Sequence, residues 1–239
     1  MSRAAFRTSA RKAGNELLCY EYWKWILYWL PVIEFRTFDI QNASVLGTGV
    51  TNANSTNWSN YNAYCPLTPN GYTNSLGNGS GSKPMSIPNF DTVTLNTSPN
   101  RYRGIENPFG DIWTNIEGIV INIPTANGIR EVYTTTDPGS FGDDITKMNK
   151  AGDEVSGSGY IKEFNIGSNG HIIPISNGGG DRTYKCDYHY ADTGTGTRTL
   201  LLGGGANRGA YAGLGCWASN SSVGYSDAYI GARSAHVLG

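Results

Sequence analysis

The chain has little charge, and this shortage argues against one large class of partners. Only 15% of its 239 residues are charged, and 18 Lys and Arg against 19 Asp and Glu give a net charge of −1. Nucleic-acid binding needs a basic surplus, so we do not expect a nucleic acid as a partner. Because 12% of the residues are aromatic, the composition also differs from that of disordered chains.

Long apolar runs free of charge are also missing. The most apolar stretch, residues 17–35, carries Glu21, Lys24 and Glu34 and contains Pro31. A membrane-spanning helix needs about 20 apolar residues with few or no charges. The sequence therefore predicts a soluble protein that does not insert into a membrane.

Cysteine and histidine are scarce, with four and three copies. The cysteines lie far apart and form no C-x-x-C pair, which argues against a structural zinc site; they are Cys19, Cys65, Cys186 and Cys216. Two disulfides and buried free thiols both remain open. The sequence holds no G-x-S-x-G motif, and its glycine runs lack the Lys-Ser/Thr of a phosphate-binding loop. We predict no catalytic residue, no metal site and no cofactor.

One long aromatic helix is predicted over residues 15–38. Asn15 can cap it, Glu16 falls in its first turn, and Pro31 should kink it or end its first part. Apolar residues recur at spacings of three and four, which predicts one core-facing side made of Leu18, Tyr22, Trp25, Ile26, Trp29 and Ile33.

The remainder of the chain alternates between loops and short strands. Residues 42–81 are rich in Asn, Ser, Thr and Gly, which is typical of turns and loops. Short strands are predicted at residues 86–87, 116–123, 130–134, 160–164, 199–202 and 229–237. We expect one α+β domain over residues 1–239, with the long helix packed on small twisted antiparallel sheets and residues 1–14 as an N-terminal extension.

The segment 200–237 is the candidate binding region. Small residues separate polar and aromatic ones there, and the candidate ligand-binding residues are Asn207, Arg208, Tyr211, Trp217, Asn220, Tyr225 and Tyr229. Tyr, Ser, Gly and Asn with isolated Arg and Trp form the composition of an adaptable recognition surface. A glycine-rich structural loop with buried aromatic rings is the alternative.

Three segments of the chain resemble a known fold. GDIWTNIEG at 110–118 resembles the GNVWEWV segment of the C-type lectin fold of the formylglycine-generating-enzyme type. LGGGAN at 202–207 resembles the LRGGSW of that fold, and IGAR at 230–233 resembles its closing IGFR. These segments occur in the order found in that fold, and together with the first helix they cover nearly the whole chain. The resemblance implies a C-type lectin-like fold.

Within that fold, the chain looks closest to bacteriophage tail adhesins and the variable proteins of diversity-generating retroelements. Residues 32–35 and 101–110 are similar to tail proteins of phages that infect gut Bacteroides. The resemblance implies a homotrimer in the virion tail, in contact with other tail proteins and bound to a host surface protein or glycan. Variable positions would fall among residues 207–229, whereas Gly203, Gly204, Gly231 and Arg233 would be scaffold.

Composition is consistent with such diversification. Adenine-directed mutation of Asn codons cannot yield Lys, Glu, Gln or Met, and residues 206–229 contain none of these. It cannot yield Trp either, so Trp217 would be an unmutated position.

Two other functions are also compatible with this sequence. A structural virion protein without variability, or a cellular lectin-like binding module, could use the same scaffold. Oxidases of this fold bind copper through two nearby C-terminal cysteines, whereas this chain has only Cys216 there. We therefore do not expect an enzyme.

Overall fold

Strands dominate the structure, and helical segments precede them. The computed structural model describes residues 1–42, 45–50, 68–88 and 94–236, so Cys65, Val237 and residues 43–44 and 51–67 of the loop predicted at 42–81 lie outside the described residues. The predicted α+β class is confirmed. Within the described residues, no helix is long and apolar enough to cross a membrane.

Residues 1–14 were predicted to be an N-terminal extension, but they contain helix α1 (Arg3–Lys12), which packs on the rest of the domain. The Ser2 side chain accepts a hydrogen bond from the Ala5 N–H and caps the helix. Arg3 is buried and donates to the backbone carbonyls of Ile116 and Ile119, at 3.2 and 2.9 Å. These bonds dock α1 on the central sheet.

The predicted helix at 15–38 is shorter and less regular than its sequence pattern indicated. It consists of α2 (Tyr20–Tyr22), a π-helical segment (Trp23–Trp29) and α3 (Leu30–Phe35). Asn15 does not cap it, because the chain first forms strand β1 (Glu16–Leu17). The π-helical segment ends two residues before Pro31, and Arg36 ends α3 in the left-handed conformation with φ 54°.

The core-facing side of this helix also differs from the prediction. Tyr22, Trp25 and Ile33 are 43%, 47% and 69% exposed, whereas the buried side comprises Tyr20, Trp23, Leu27, Tyr28 and Val32. The prediction assumed α-helical spacing, but π-helical hydrogen bonds join residues five apart and rotate the following side chains. The aromatic stripe was therefore assigned partly to the wrong face.

Sixteen strands are described, and several were not predicted from the sequence. Their bounds are β1 (Glu16–Leu17), β2 (Gly81–Ser82), β3 (Met85–Pro88), β4 (Thr94–Thr97), β5 (Asn100–Tyr102), β6 (Ile105–Glu106), β7 (Trp113–Ile123), β8 (Arg130–Thr134), β9 (Asn149–Glu154), β10 (Gly159–Asn165), β11 (Ile173–Asn177), β12 (Tyr188–Tyr190), β13 (Gly196–Leu202), β14 (Trp217–Ser222), β15 (Ile230–Ala232) and β16 (Ser234–Ala235). The strand predicted at 229–237 is divided: β15 pairs with β7, and β16 pairs with β1.

One nine-stranded sheet replaces the small sheets that we expected to carry the fold. Its order is β11-β10-β12-β14-β13-β7-β8-β9, and β15 adds to the start of β7. Most pairs are antiparallel, but β12 runs parallel to β14 and β15 runs parallel to β7. The Val155 N–H, just after β9, donates to the Pro174 carbonyl in β11 at 2.8 Å. This bond joins the two outer strands, so the sheet is nearly closed.

Strand β7 organises the core and explains how the three resembling segments meet. Ile119 and Ile121 are fully buried together with the rings of the helical segment. At its start, Trp113 lies opposite Ile230 in β15, and the Gly110 N–H donates to the Gly203 carbonyl at 3.0 Å. The segments 110–118, 202–207 and 230–233 are therefore neighbours in space.

Candidate functional site

A cleft of about 640 Å³ lies over strands β12, β13 and β14. Its lining contains Arg208, Asn220, Tyr225 and Tyr229, four of the seven candidate binding residues. The other lining residues were not singled out from the sequence: Trp113, Tyr190, Asp192, Thr195, Arg198, Leu201, Ala218, Ser221 and Ser222. Strand pairing therefore gathers residues that lie more than one hundred positions apart.

Arg208 forms one side of the cleft, and two aromatic rings fix its position. Its guanidinium carbon lies 5.0 Å from the centre of the Tyr190 ring and 5.7 Å from that of Trp113. Such cation–π contacts hold the planar group in one orientation. The Arg208 Nε atom is buried without a hydrogen-bond partner.

Tyr225 and Tyr229 form the outer edge of the cleft. Their hydroxyl oxygens lie 2.5 Å apart, and the Tyr225 hydroxyl also donates to the Asp227 carboxylate at 3.0 Å. The Tyr225 ring is 36% exposed. The loop after β14 thus presents a ring and two hydroxyls whose positions are set by hydrogen bonds.

Tyr211 lies outside the lining but joins it through a group of tilted and edge-to-face rings. Its ring centre is 4.4 Å from that of Tyr188 and 6.4 Å from that of Tyr190, which lines the cleft. Tyr160 completes this tyrosine cluster at 5.5 Å from Tyr211. Tyr211 is 42% exposed, so the cluster extends the aromatic surface beyond the cleft.

Asn207 and Trp217 do not line the cleft. Asn207 is exposed in the loop after β13. Trp217 was wrongly placed among the ligand-contacting residues, because it is only 1% exposed and its indole N–H donates to Glu154 at 2.7 Å. As the first residue of β14, it faces the core, and its neighbour Ala218 lines the cleft. Composition alone could not distinguish these two faces.

A buried polar network supports the cleft from below. Arg130 Nε donates to Glu154 Oε1 at 2.6 Å, and its other nitrogens bind Asp192 and Ser219. Asp192 also accepts from Arg198 at 2.9 Å. Burial raises the pKa of Glu154, and the Arg130 charge opposes this shift.

Ser219 and His189 lie within this network, but their geometry differs from that of a catalytic triad. The Ser219 hydroxyl is 3.4 Å from His189 Nε2, and Glu154 approaches that same nitrogen at 3.8 Å. In a triad the carboxylate orients the opposite ring nitrogen, yet His189 Nδ1 is buried and unpartnered. Burial, with a smaller contribution from Arg130, lowers the pKa of His189 to about 3, so its ring is neutral.

The described cysteines show no disulfide and no metal cluster. Cys19, Cys186 and Cys216 carry free thiols, and burial raises the pKa of Cys216. Among the described residues, no group of three or more His, Cys, Asp or Glu side chains could hold a metal ion.

Asp187 anchors the glycine-rich loop that carries Arg208. Its carboxylate accepts from the Gly215 N–H at 3.0 Å and is 1% exposed. Burial raises its pKa to about 7, although the Gly215 hydrogen bond opposes the shift. Because the folded protein holds this proton up to a higher pH than an unfolded chain does, the contribution of Asp187 to stability falls as the pH rises from about 4 through 7.

We expect Asp187→Asn to remove this pH dependence. The variant and the original protein should have similar Tm values at pH 5, whereas at pH 8 the variant should be more stable by up to about 3 kcal/mol, because the Asp187 carboxyl loses its stabilising effect over about two pH units above pH 5. Thermal unfolding of both proteins between pH 5 and 8 measures the difference. The His189 ring is neutral in both folded proteins over this range, so its contribution to the pH dependence of stability is the same in both and cancels. A constant difference in Tm across this range would contradict the assignment.

No protein-family model matches the chain, and no curated protein matches it significantly.

Proposed function

We propose that this chain is a phage tail receptor-binding protein with a C-type lectin-like fold. It uses the cleft over β12, β13 and β14 to bind a protein or glycan on the surface of a bacterial host. The observation that carries the proposal is the convergence of Arg208, Asn220, Tyr225 and Tyr229 on one cleft. The sequence pattern singles out these four residues without any information on their spatial relation.

The rigidity of the cleft supports a binding role. Arg208 is held by two rings, and Tyr225 is held by two hydroxyl hydrogen bonds. Side chains that are already ordered lose little entropy when a ligand binds. Exposed tyrosine rings also provide large contact areas for protein pockets and sugar faces.

The lectin-like fold is supported by the contacts among the three segments that carry the resemblance. Gly203 and Gly204 take φ values of 90° and 74°, where glycine is favoured, and a Cβ atom on Gly231 would meet Ile112 at 2.4 Å. These glycines suit a scaffold role. We further propose that the chain forms a homotrimer and contacts other tail proteins. Light scattering on the purified chain, which measures its molar mass, tests whether it is a trimer.

Replacing Tyr211 and Tyr225 with alanine should weaken binding to host cells about tenfold or more while leaving Tm nearly unchanged. Both rings are partly exposed, so their loss removes contact area without opening the core. Binding of the fluorescently labelled protein to a panel of gut Bacteroides strains measures the effect. The matched control is Tyr184→Ala, because Tyr184 is 73% exposed and does not line the cleft.

Equal cell binding by the double variant and the control would contradict the proposed site. Binding to no strain would favour a structural virion protein. Sequencing the gene from lysates of one lysogen tests the variable role: substitutions clustered at 206–229 support it, and a uniform sequence favours the same scaffold without diversification.

A further inference from the structure

We propose that the cleft binds a sugar that bears a carboxylate, and that Arg208 recognises this carboxylate. This inference rests on the proposed function, because it names the ligand class of the same site. It adds a charge requirement that neither the sequence pattern nor the receptor-binding role contains.

Arg208 is a cation held in place by two rings and, among the described residues, without an anionic partner. Within the described part of the chain, no carboxylate forms an ion pair with Arg208. The neighbouring arginines differ: Arg198 pairs with Asp192 at 2.9 Å, and Arg130 pairs with Glu154 at 2.6 Å. A guanidinium whose orientation is set by two rings is ready to form paired hydrogen bonds with a carboxylate.

The carboxylates near the cleft are already occupied. Asp192 accepts from Arg130 and Arg198, while Asp227 accepts from the Tyr225 hydroxyl and the Ala228 N–H. The Arg208 guanidinium lies beside the rings of Tyr190 and Trp113 rather than against a carboxylate, so an anion there would not have to displace a partner already bound. An incoming anion therefore gains more at Arg208 than at the paired arginines.

The remaining lining favours a sugar over an acidic peptide. Beside the charged groups, the cleft presents small hydroxyl and amide side chains at Thr195, Asn220, Ser221 and Ser222. The rings of Tyr225 and Tyr229 form its edge. Hydroxyls and amides match the many hydroxyls of a sugar, and aromatic rings match its apolar face. The volume of about 640 Å³ also suits a small compact ligand, since such sites measure roughly 300–1,000 Å³.

The test uses the full chain and two acidic probes, a hyaluronate tetrasaccharide and a trisaccharide ending in N-acetylneuraminic acid. Each is compared with its carboxyl-reduced form by isothermal titration calorimetry or ligand-observed NMR. We expect at least one acidic probe to bind about 10- to 100-fold more tightly than its reduced form, because a charge-assisted pair is lost. This comparison changes only the ligand and does not depend on the folding of any variant.

Variants then assign the effect to Arg208. Arg208→Gln should remove the preference for the acidic probe, and Arg208→Lys should retain part of it because the charge remains without the planar fork. Arg182→Gln is the matched control, since it removes the same charge from an exposed position that does not line the cleft. Equal loss in the control would show general electrostatic attraction and overturn the inference.

Three further results would overturn it: neither acidic probe binds better than its reduced form, Arg208→Gln keeps the preference, or a hexaglutamate peptide binds as tightly as the acidic sugars. These failures differ from failure of the proposed function. If Arg208→Gln abolishes cell binding but no acidic sugar binds, the receptor site stands and only its ligand class is wrong. If no cleft variant changes cell binding, the proposed function itself fails.

Discussion

Arg130→Ala is expected to lower the free energy of unfolding by about 3–5 kcal/mol, because it leaves buried partners without their cation. Arg130 is 1% exposed and pairs with Glu154, which is 5% exposed. The substitution also removes the donors to the Ser219 carbonyl and hydroxyl, at 2.7 and 2.9 Å. For a chain of this size the loss corresponds to a fall in Tm on the order of 10 °C.

The pH dependence of this loss separates charge from packing. Without Arg130, the pKa of Glu154 should rise further, because the nearby positive charge that opposes desolvation is gone. The deficit should therefore be larger at pH 8 than at pH 5, where Glu154 can take up a proton. Lys147→Ala, which breaks an ion pair between exposed side chains, is the control and should leave Tm unchanged. A small, pH-independent loss for Arg130→Ala would contradict the role of this network.

Gly204→Val is the second substitution with a large expected effect, and it should prevent normal folding. Gly204 has φ +74°, which β-branched residues rarely adopt. A Cβ atom there would lie 2.7 Å from Ala212 Cβ and 2.8 Å from its Cα, so the backbone would have to move. We expect low soluble yield, or a Tm lower by more than 10 °C if the protein is recovered.

Gly14→Val is a matched control for the backbone angle. Gly14 has φ +72°, but no atom lies within 4 Å of the position that a Cβ would take. It should show only the cost of the left-handed conformation, about 1–2 kcal/mol. Equal losses in the two variants would show that close packing at Gly204 contributes nothing. Normal stability of Gly204→Val would contradict its scaffold role.

The strands that were predicted well have strong local patterns. Ile119, Ile121 and Ile123 alternate along β7, and the prediction at 130–134 coincides with β8. β12 and β14 were missed because their sequences, Tyr-His-Tyr and Trp-Ala-Ser-Asn-Ser-Ser, show no alternation of apolar and polar residues. Sequence periodicity detects a strand only where one face of the strand is buried and therefore requires apolar residues at alternate positions. A strand held mainly by backbone pairing to its neighbours leaves no such pattern.

The cleft was only partly predictable for a similar reason. Composition pointed to the loop residues Arg208, Tyr225 and Tyr229, because isolated aromatic and basic residues among small ones are easy to see. Tyr190 and Arg198 line the same cleft only because β12, β14 and β13 lie side by side. That adjacency is a long-range pairing, which no local pattern specifies.

The sequence by itself determined the α+β class, the principal apolar strands and the polar, aromatic character of the C-terminal segment, since these follow from composition and short-range periodicity. Only the tertiary structure decided which face of the aromatic helix is buried, because π-helical hydrogen bonding changes the angular spacing of its side chains. It also decided that Trp217 points inward while Ala218 lines the cleft, because successive strand residues face opposite sides and only the packed sheet defines which side is the core.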